Sequence, residues 1–231
     1  MIVQLLLAFF RVGLKLLTHT HVEGVENVPE PPYLLVTNHL GRLDVPFIYA
    51  TVGGPHLVGW AAEKYERHLF FGPILRAGGV VFIQRGQVDR RALDFAVRTL
   101  RTGKSFAMSP EGTRSPNHAL IRGKTGAAYL AEEADVPIVP VGLTGTESAI
   151  ESWMHLRRPV ITARYGPPFR LPKLTKDSRT QGMRANTDEI MCRIAALLPP
   201  RYRGLYANYP RTIELLEANG ASARSGRAVP A

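Results

Sequence analysis

Short apolar runs alternate with helical stretches along most of this chain, and this alternation constrains the possible folds more than any other feature. The runs are HVEGV (21–25), YLLVT (33–37), VVFIQ (80–84), SFAMS (105–109), IVPVGL (138–143) and VITARYG (160–166). Most of them are continuously apolar, which is typical of strands covered on both faces. The pattern predicts an α/β fold with a central, mostly buried mixed β-sheet flanked by helices.

The intervening segments carry helix signals. The segment 88–103 places Leu93, Ala96, Val97 and Leu100 on one face and ends at Gly103. The alanine-rich segment 123–137 is expected to stop before its final proline, and residues 172–198 are expected to form a linker followed by a closing amphipathic helix. We therefore expect the helices to form the layers on either side of the sheet.

The length and composition of the chain are typical of a single folded domain. The chain has 231 residues, of which 45% are hydrophobic and 21% are charged. A chain of this kind can bury one core as a single domain. We expect that domain at 19–215, followed by a disordered tail at 216–231 with small, polar residues.

The net charge indicates which partners the chain could bind, and the cysteine content indicates the compartment. The 29 lysines and arginines exceed the 19 acidic residues, which gives a net charge of +10. This excess favours an anionic partner: nucleic acid, a phospholipid surface or a phosphorylated substrate. The single cysteine, Cys192, excludes an intrachain disulfide and favours a reducing, cytoplasmic setting.

The N-terminal segment is a separate feature. The run MIVQLLLAFFRVGLKLL is shorter and more interrupted than the roughly 20 apolar residues that cross a bilayer. On a helix its polar residues fall within a stripe about 60° wide, formed by Gln4, Arg11, Lys15 and Thr18. The pattern predicts an amphipathic helix at 1–18 that lies in a membrane interface with its cations toward the headgroups. A helix packed against the protein's own core is the alternative.

The stretch TNHLGRLD (37–44) follows the apolar run YLLV and delivers a histidine and an aspartate at a predicted strand end. On a continuous helix His39 and Asp44 would lie about 140° apart, so only a turn, which Gly41 permits, can bring them together. Asp44 could then accept the proton of one imidazole nitrogen and leave the other as a base that activates a hydroxyl for acyl transfer. The simpler alternatives are a structural histidine and an aspartate that caps the following helix.

Two further strand ends carry groups suited to a phosphate-bearing substrate. In SFAMSPEGTRS the predicted strand is followed by Glu111, Gly112, Thr113 and Arg114. In VVFIQRG it is followed by Arg85. Arginine presents a planar fork that matches phosphate, so two arginines from neighbouring strand ends could hold one dianionic group. Taken singly, each arginine is better explained by a solvated charge at a strand end.

Four ordered blocks, NHLGRLD, GGVVFIQRG, SPEGTRS and VPIVPVGL, together resemble the lysophosphatidic acid acyltransferase family of glycerolipid enzymes. The resemblance spans about residues 20–170. It implies transfer of an acyl group from acyl-CoA or acyl carrier protein to the free hydroxyl of a lysophospholipid such as 1-acyl-glycerol-3-phosphate, giving phosphatidic acid without a cofactor. It also implies that His39 is the general base and Asp44 its orienting partner. The acceptor would contact Lys64, Arg85, Glu111, Gly112, Thr113 and Arg114.

Two departures from the family pattern leave the acceptor open. Ser109 replaces a common aromatic residue and Gln84 a common acidic one, so glycerol-3-phosphate and other lysolipids remain alternatives. We expect a peripheral or monotopic protein on the cytoplasmic face of the cell membrane, bound to an anionic surface.

Other classes of function have weaker support. The segment HALIRGKT (118–125) lacks the first glycine of a nucleotide-binding P-loop, because His118 stands in its place. The histidines lack the spacing of a metal site, and the basic segment 201–211 is better explained by a solvated face than by nucleic-acid binding. A peripheral membrane-binding module without turnover is the remaining non-catalytic alternative.

Overall fold

The computed structural model describes residues 2–54, 56–63, 66–67, 80–83, 90–175, 177 and 179–225. The helices in this part are α1 (Ile2–Leu17), α2 (Asp44–Val52), α3 (Arg90–Arg101), α4 (Gly126–Ala134), α5 (Ala149–Met154), α6 (Arg179–Leu197) and α7 (Pro210–Ser225). The strands are β1 (His19–Glu23), β2 (Leu34–Thr37), β3 (Leu57–Ala62), β4 (Val81–Ile83), β5 (Ser105–Met108), β6 (Ile138–Thr144) and β7 (Val160–Tyr165). Short 3₁₀ turns lie at Val25–Asn27, Pro200–Tyr202 and Gly204–Tyr206.

The strands form one mixed sheet in the order β1-β7-β6-β2-β5-β3-β4, which confirms the predicted fold class. Neighbouring strands are parallel except for the antiparallel pair β6 and β7. The central strand β2 pairs with β5 on one side and β6 on the other, and all three run in the same direction. Their last residues therefore lie at one end of the sheet, which we call the C-terminal end.

The antiparallel pairing brings two further segments to this end. Thr144, at the end of β6, pairs with Thr162 near the start of β7. Val160, the first residue of β7, pairs in turn with His19, the first residue of β1. The end of α1 and the turn that follows α5 therefore lie at the C-terminal end of the sheet as well.

The core has one layer on each face of the sheet, because successive side chains of a strand point to opposite faces. Leu34 and Val36 of β2 pack in the first layer, with α3, α4 and α6. Leu35 of β2 packs in the second layer, with Phe47 of α2 and the partly buried Leu14 of α1. All three β2 side chains are fully buried, as expected for a strand covered on both faces.

The predicted strands are all present, although the structure describes VVFIQ only as far as Ile83. The sequence pattern did not predict β3 or the six-residue helix α5. The expected disordered tail from residue 216 is wrong up to Ser225, because α7 continues to that residue. Alanine, leucine and glutamate, which favour helix, are frequent in the segment IELLEANGASARS and explain this extension. Residues 226–231 lie outside the described part.

The helix α1 forms as predicted, but its polar stripe does not face outward as a whole. Arg11 donates from Nε to the carbonyl oxygen of Ala50 in α2 at 2.8 Å, and Thr18 is buried. Lys15 is exposed, and so are the apolar side chains of Phe9, Val12, Leu16 and Leu17. Within the described residues, no helix has the length and hydropathy needed to cross a membrane.

Candidate functional site

His39 and Asp44 meet in the loop that leaves β2 at the C-terminal end of the sheet. His39 Nδ1 lies 2.6 Å from Asp44 Oδ2. The same oxygen accepts hydrogen bonds from the backbone N–H groups of Leu40 at 2.7 Å and Gly41 at 2.9 Å. Because a carboxylate oxygen only accepts, Nδ1 carries a proton, and in the neutral imidazole Nε2 then keeps its lone pair. The turn thus presents a basic nitrogen.

The other carboxylate oxygen of Asp44 also accepts a hydrogen bond, so both oxygens are held in place. Thr146, two residues beyond β6, donates from Oγ1 to Asp44 Oδ1. Asp44 is the first residue of α2, Leu43 holds the cap position, and no side chain caps the helix there. The alternative in which Asp44 caps α2 is therefore wrong: its carboxylate turns back toward residues 38–43, the loop between β2 and α2, which we call the histidine loop.

Gly41 allows this loop to approach Thr146 closely. A Cβ atom added to Gly41 would lie 2.7 Å from the carbonyl oxygen of Thr146 and 3.0 Å from its carbonyl carbon. Gly41 is not among the glycines with positive φ, so it is needed here for space and not for a left-handed conformation. Any larger residue must move the backbone of one loop.

We expect Gly41→Ala to lower both thermal stability and turnover, because a backbone carbonyl cannot rotate away as a side chain can. Overpacking of this kind costs about 1–3 kcal/mol. Differential scanning calorimetry and an activity assay would measure the two effects. Gly220→Ala is the matched control, since Gly220 has open space around its Cβ position and lies in a helix, where alanine is favoured. Equal stability and turnover for Gly41→Ala and the native chain would contradict the close approach.

Glu111 fastens the histidine loop from the neighbouring strand end. Its carboxylate accepts the backbone N–H of His39 at 2.9 Å on Oε1, and the Ser115 hydroxyl at 2.6 Å and the Ile121 N–H at 3.1 Å on Oε2. Ser115 also donates its backbone N–H to the carbonyl oxygen of His39 at 2.9 Å. Glu111 is only 1% exposed, and burial raises the pKa of its carboxyl while the donated hydrogen bonds oppose the rise. These contacts turn the Glu111 carboxylate toward the loop that carries His39, and its contact with the acceptor stays a prediction.

The rest of the SPEGTRS loop is more open. Gly112 has φ of +68°, and a Cβ there would lie 3.0 Å from Lys124 Nζ, so the lysine side chain lies over the glycine. Thr113 is exposed, whereas Arg114 is partly buried, and no hydrogen bond or ion pair joins Arg114 to another described residue. Arg114 immediately precedes Ser115 and therefore lies close to His39. Lys64 and Arg85, also predicted to bind the acceptor, lie outside the described residues.

Sequence reasoning missed two residues of the site, Asn38 and Thr146. Asn38 donates from Nδ2 to the Leu143 carbonyl oxygen and accepts the Leu143 N–H on Oδ1, each at 2.8 Å. It thus ties the end of β2 to β6, and Thr146 ties the same loop to Asp44. Both are buried polar residues. The only sequence signal was their position, just after the ends of two apolar runs.

The arrangement suits removal of a proton from a substrate hydroxyl. The His39 side chain is 15% exposed, which leaves it within reach of a substrate while its partner is enclosed. Arg114 precedes Ser115, whose N–H bonds to the His39 carbonyl oxygen, and Lys124 lies over Gly112, so the loop next to the base carries two cations that favour an anionic substrate. Within the described ranges, no three histidine, cysteine, aspartate or glutamate residues are grouped to hold a metal ion.

Comparison with known proteins points to one group. The Acyltransferase family matches residues 19–144. The 1-acyl-sn-glycerol-3-phosphate acyltransferase of Saccharomyces cerevisiae is 29% identical over 163 residues, covering 68% of this chain and 53% of the relative. The Limnanthes alba protein of the same name is 31% identical over 162 residues, covering 68% and 56%, and the human beta form is 29% identical over 201 residues, covering 84% and 66%.

The chain thus spans between about half and two thirds of the length of these curated relatives. A solved structure is also similar: the crystal structure of the 1-acyl-sn-glycerophosphate acyltransferase PlsC from Thermotoga maritima. It matches with a TM-score of 0.63 at 23% identity, covering 81% of this chain and 78% of that one. At this identity the likeness establishes the fold alone.

Proposed function

We propose that this chain, which belongs to the acyltransferase family, moves a fatty acyl group from a thioester to the free hydroxyl of 1-acyl-glycerol-3-phosphate, giving phosphatidic acid. The observation that carries the proposal is the 2.6 Å contact between His39 Nδ1 and Asp44 Oδ2 at the C-terminal end of the sheet. The donor is acyl-CoA or acyl carrier protein. The names of the relatives support this acceptor over glycerol-3-phosphate and other lysolipids.

The proposed reaction needs one base and no nucleophile on the protein. His39 Nε2 takes the proton of the acceptor hydroxyl as its oxygen attacks the thioester carbonyl carbon. Asp44 holds the imidazole through Nδ1 and stabilises the imidazolium that forms. When the tetrahedral intermediate collapses, the C–S bond breaks, and Nε2 returns its proton to the departing sulfur. General-base assistance of this kind contributes about 10²- to 10⁴-fold in rate.

The positive groups near His39 are proposed to hold the acceptor phosphate. Arg114 supports this role because it is partly buried, lies one residue from the Ser115 N–H that bonds to His39, and has no partner among the described residues. A guanidinium can form two parallel hydrogen bonds to a phosphate. Arg85 and Lys64 remain predicted members of the same site, and Gly112 and Thr113 shape its exposed side.

We expect Arg114→Ala to raise the apparent KM for a phosphate-bearing acceptor by about 10- to 100-fold, since a charge-assisted hydrogen bond contributes about 1.5–3 kcal/mol. The KM for the thioester donor should change much less. Steady-state kinetics with each substrate varied in turn would measure both values. Arg98→Ala, which removes an exposed arginine of α3, is the control. Equal changes in both KM values would remove Arg114 from the acceptor site.

The acceptor carries a fatty chain and resides in a bilayer, so we place the protein peripherally or monotopically at the cytoplasmic face of the cell membrane. The exposed apolar side chains of α1, including Phe9, Val12 and Leu16, support contact with the lipid. The net charge of +10 supports an anionic surface.

An assay of the purified full-length chain tests the proposed function. Acyl-CoA and acyl carrier protein would each be offered with 1-acyl-glycerol-3-phosphate, glycerol-3-phosphate and uncharged lysolipids, and kcat/KM compared. We expect 1-acyl-glycerol-3-phosphate to give the highest value. A higher value for another acceptor would overturn the substrate. Vesicle binding without transfer to any acceptor would favour the non-catalytic module.

A further inference from the structure

Exposed apolar side chains gather where α5 meets the end of α1. Met154 is 78% exposed and Leu156 is 96% exposed, and both follow or end α5. Leu16 and Leu17, at the end of α1, are 67% and 52% exposed. Trp153 joins the two segments, because its indole Nε1 donates to the Leu17 carbonyl oxygen at 2.8 Å. We call these five residues the α1–α5 patch.

Leu156 combines an exposed side chain with an unusual backbone conformation. Leu156 has φ of +54°, in the left-handed region that glycine and asparagine favour and that a branched apolar residue rarely adopts. Its N–H is bonded to the Trp153 carbonyl oxygen at 3.0 Å, so the turn is closed by hydrogen bonds while the leucine side chain points away from the core. The Leu156 side chain is therefore available for a contact outside the chain.

The α1–α5 patch borders the candidate active site. Thr146, which donates to Asp44, is three residues before Ala149, where α5 begins. A six-residue helix rises only about 9 Å, so Met154 and Leu156 lie a short distance beyond the site. The pairing of His19 with Val160 places the end of α1 at the same C-terminal end of the sheet. The patch and the basic nitrogen of His39 thus share one end of the molecule.

The surroundings of the patch are mostly cationic. Arg157 and Lys15 are exposed, and Arg158 donates from Nη2 to the carbonyl oxygens of Lys15 at 2.6 Å and Thr18 at 2.7 Å. Glu151 is the acidic residue of α5, so three cations outnumber one carboxylate. An apolar tip with a tryptophan beside it and a cationic rim matches the interface of an anionic bilayer, where tryptophan is enriched and cations meet headgroups.

We propose that the α1–α5 patch docks on an anionic lipid bilayer, and that the turn carrying Met154 and Leu156 inserts between the lipids as a second anchor beside α1. This goes beyond the proposed function, because it assigns a surface that no step of the acyl transfer uses. Docking there would hold the end of the sheet that carries His39 next to the lipid. It is also independent of catalysis, since a chain without turnover would bind lipid in the same way.

Vesicle binding by the full-length chain tests the second anchor. In the double variant Met154→Ser, Leu156→Asn, the asparagine accepts the left-handed backbone at 156, so the fold should be retained. The measurement is co-sedimentation with mixed vesicles of phosphatidylcholine and phosphatidylglycerol in a two-to-one ratio. Removal of two apolar side chains from the interface should raise the lipid concentration for half-maximal binding by about 10-fold or more. Acylation of a water-soluble short-chain acceptor should stay unchanged.

Ile213→Ser provides the matched control. Ile213 is 45% exposed on α7, and α7 packs on α6, in the layer on the opposite face of the sheet from α1. This variant should bind vesicles as the native chain does. Arg157→Gln should weaken binding to the anionic vesicles and not to pure phosphatidylcholine vesicles, because only the former attract the cation.

Several results would overturn the proposal. Native binding by the double variant would remove the second anchor, and an equal loss in Ile213→Ser would indicate nonspecific adhesion. A native dimer in light scattering that the double variant converts to a monomer would assign the patch to a second copy of the chain. If no acceptor is acylated but the double variant still loses vesicle binding, the proposed function fails and the docking surface stands.

Discussion

Replacing His39 with alanine should lower kcat by about 10²- to 10⁴-fold, because the acceptor hydroxyl loses the base that we propose for it. The loss should appear in kcat and in kcat/KM together, since the base acts in the transition state. The fold should persist, because the His39 side chain bonds only to Asp44 among the described residues and its ring is partly exposed. Turnover measured beside a thermal unfolding curve separates chemistry from stability.

His21→Ala is the control for His39→Ala, since His21 is exposed on β1. We expect it to retain native turnover. Asp44→Asn should reduce turnover less than His39→Ala, because an amide oxygen can still accept from His39 Nδ1 but no longer stabilises the imidazolium by charge. A folded His39→Ala variant with near-native turnover would exclude the proposed mechanism.

Replacing Glu111 with alanine should destabilise the fold and also impair turnover. The change leaves three donors without their acceptor: the backbone N–H groups of His39 and Ile121 and the hydroxyl of Ser115. Each buried donor left unpaired costs about 1–3 kcal/mol, so a total of roughly 3 kcal/mol or more is expected. In a chain of this size that lowers Tm by about 6–12 °C. Calorimetry and kcat would measure the two losses.

Two variants sharpen the test of Glu111. Glu111→Gln keeps one accepting oxygen and should lose less stability than the alanine variant. Glu151→Ala removes an exposed carboxylate and should leave Tm unchanged. If Glu111→Ala kept the native Tm and raised only the KM for the acceptor, the carboxylate would contact the substrate, as the sequence had suggested, and not the histidine loop.

The layered fold was predictable because most of the buried strands are continuous apolar runs. The exceptions have local causes. β3 (Leu57–Ala62) contains Gly59 and two alanines, which weaken a β-strand signal although Leu57 and Val58 are buried. The helix α5 has six residues, too few for an apolar period to be recognised. In both cases pairing or packing with distant segments decides the conformation.

The candidate site was predictable only where its groups are close in the sequence. His39 and Asp44 are five residues apart, so one turn joins them, and their chemistry is evident from residue types. Thr146 is 102 residues from Asp44, and nothing in the sequence connects the two. Glu111 was also recognised, but its residue type alone does not show whether the carboxylate faces a substrate or a buried N–H. The orientation of such a carboxylate depends on the three-dimensional packing around it.

The first helix shows a related limit. An amphipathic pattern defines two faces of α1 but not which of them meets the protein. Here Arg11 bonds to the carbonyl oxygen of Ala50 and Thr18 is buried, so part of the polar stripe is turned inward. Leu16 and Leu17 remain exposed as a result.

The long-range contacts of the histidine loop have a consequence for protein synthesis. His39 and Asp44 leave the ribosome early, but the carboxylate that holds the His39 N–H is 72 residues downstream, and the hydroxyl that holds Asp44 is 102 residues downstream. Strand β6, which anchors Asn38 through Leu143, is also late. A nascent chain that ends before Glu111 therefore carries both side chains without either of these groups, and one that ends before Thr146 still lacks the hydroxyl that holds Asp44. The proposed acyl-transfer site is therefore assembled only after Thr146 has been synthesised, later than α1.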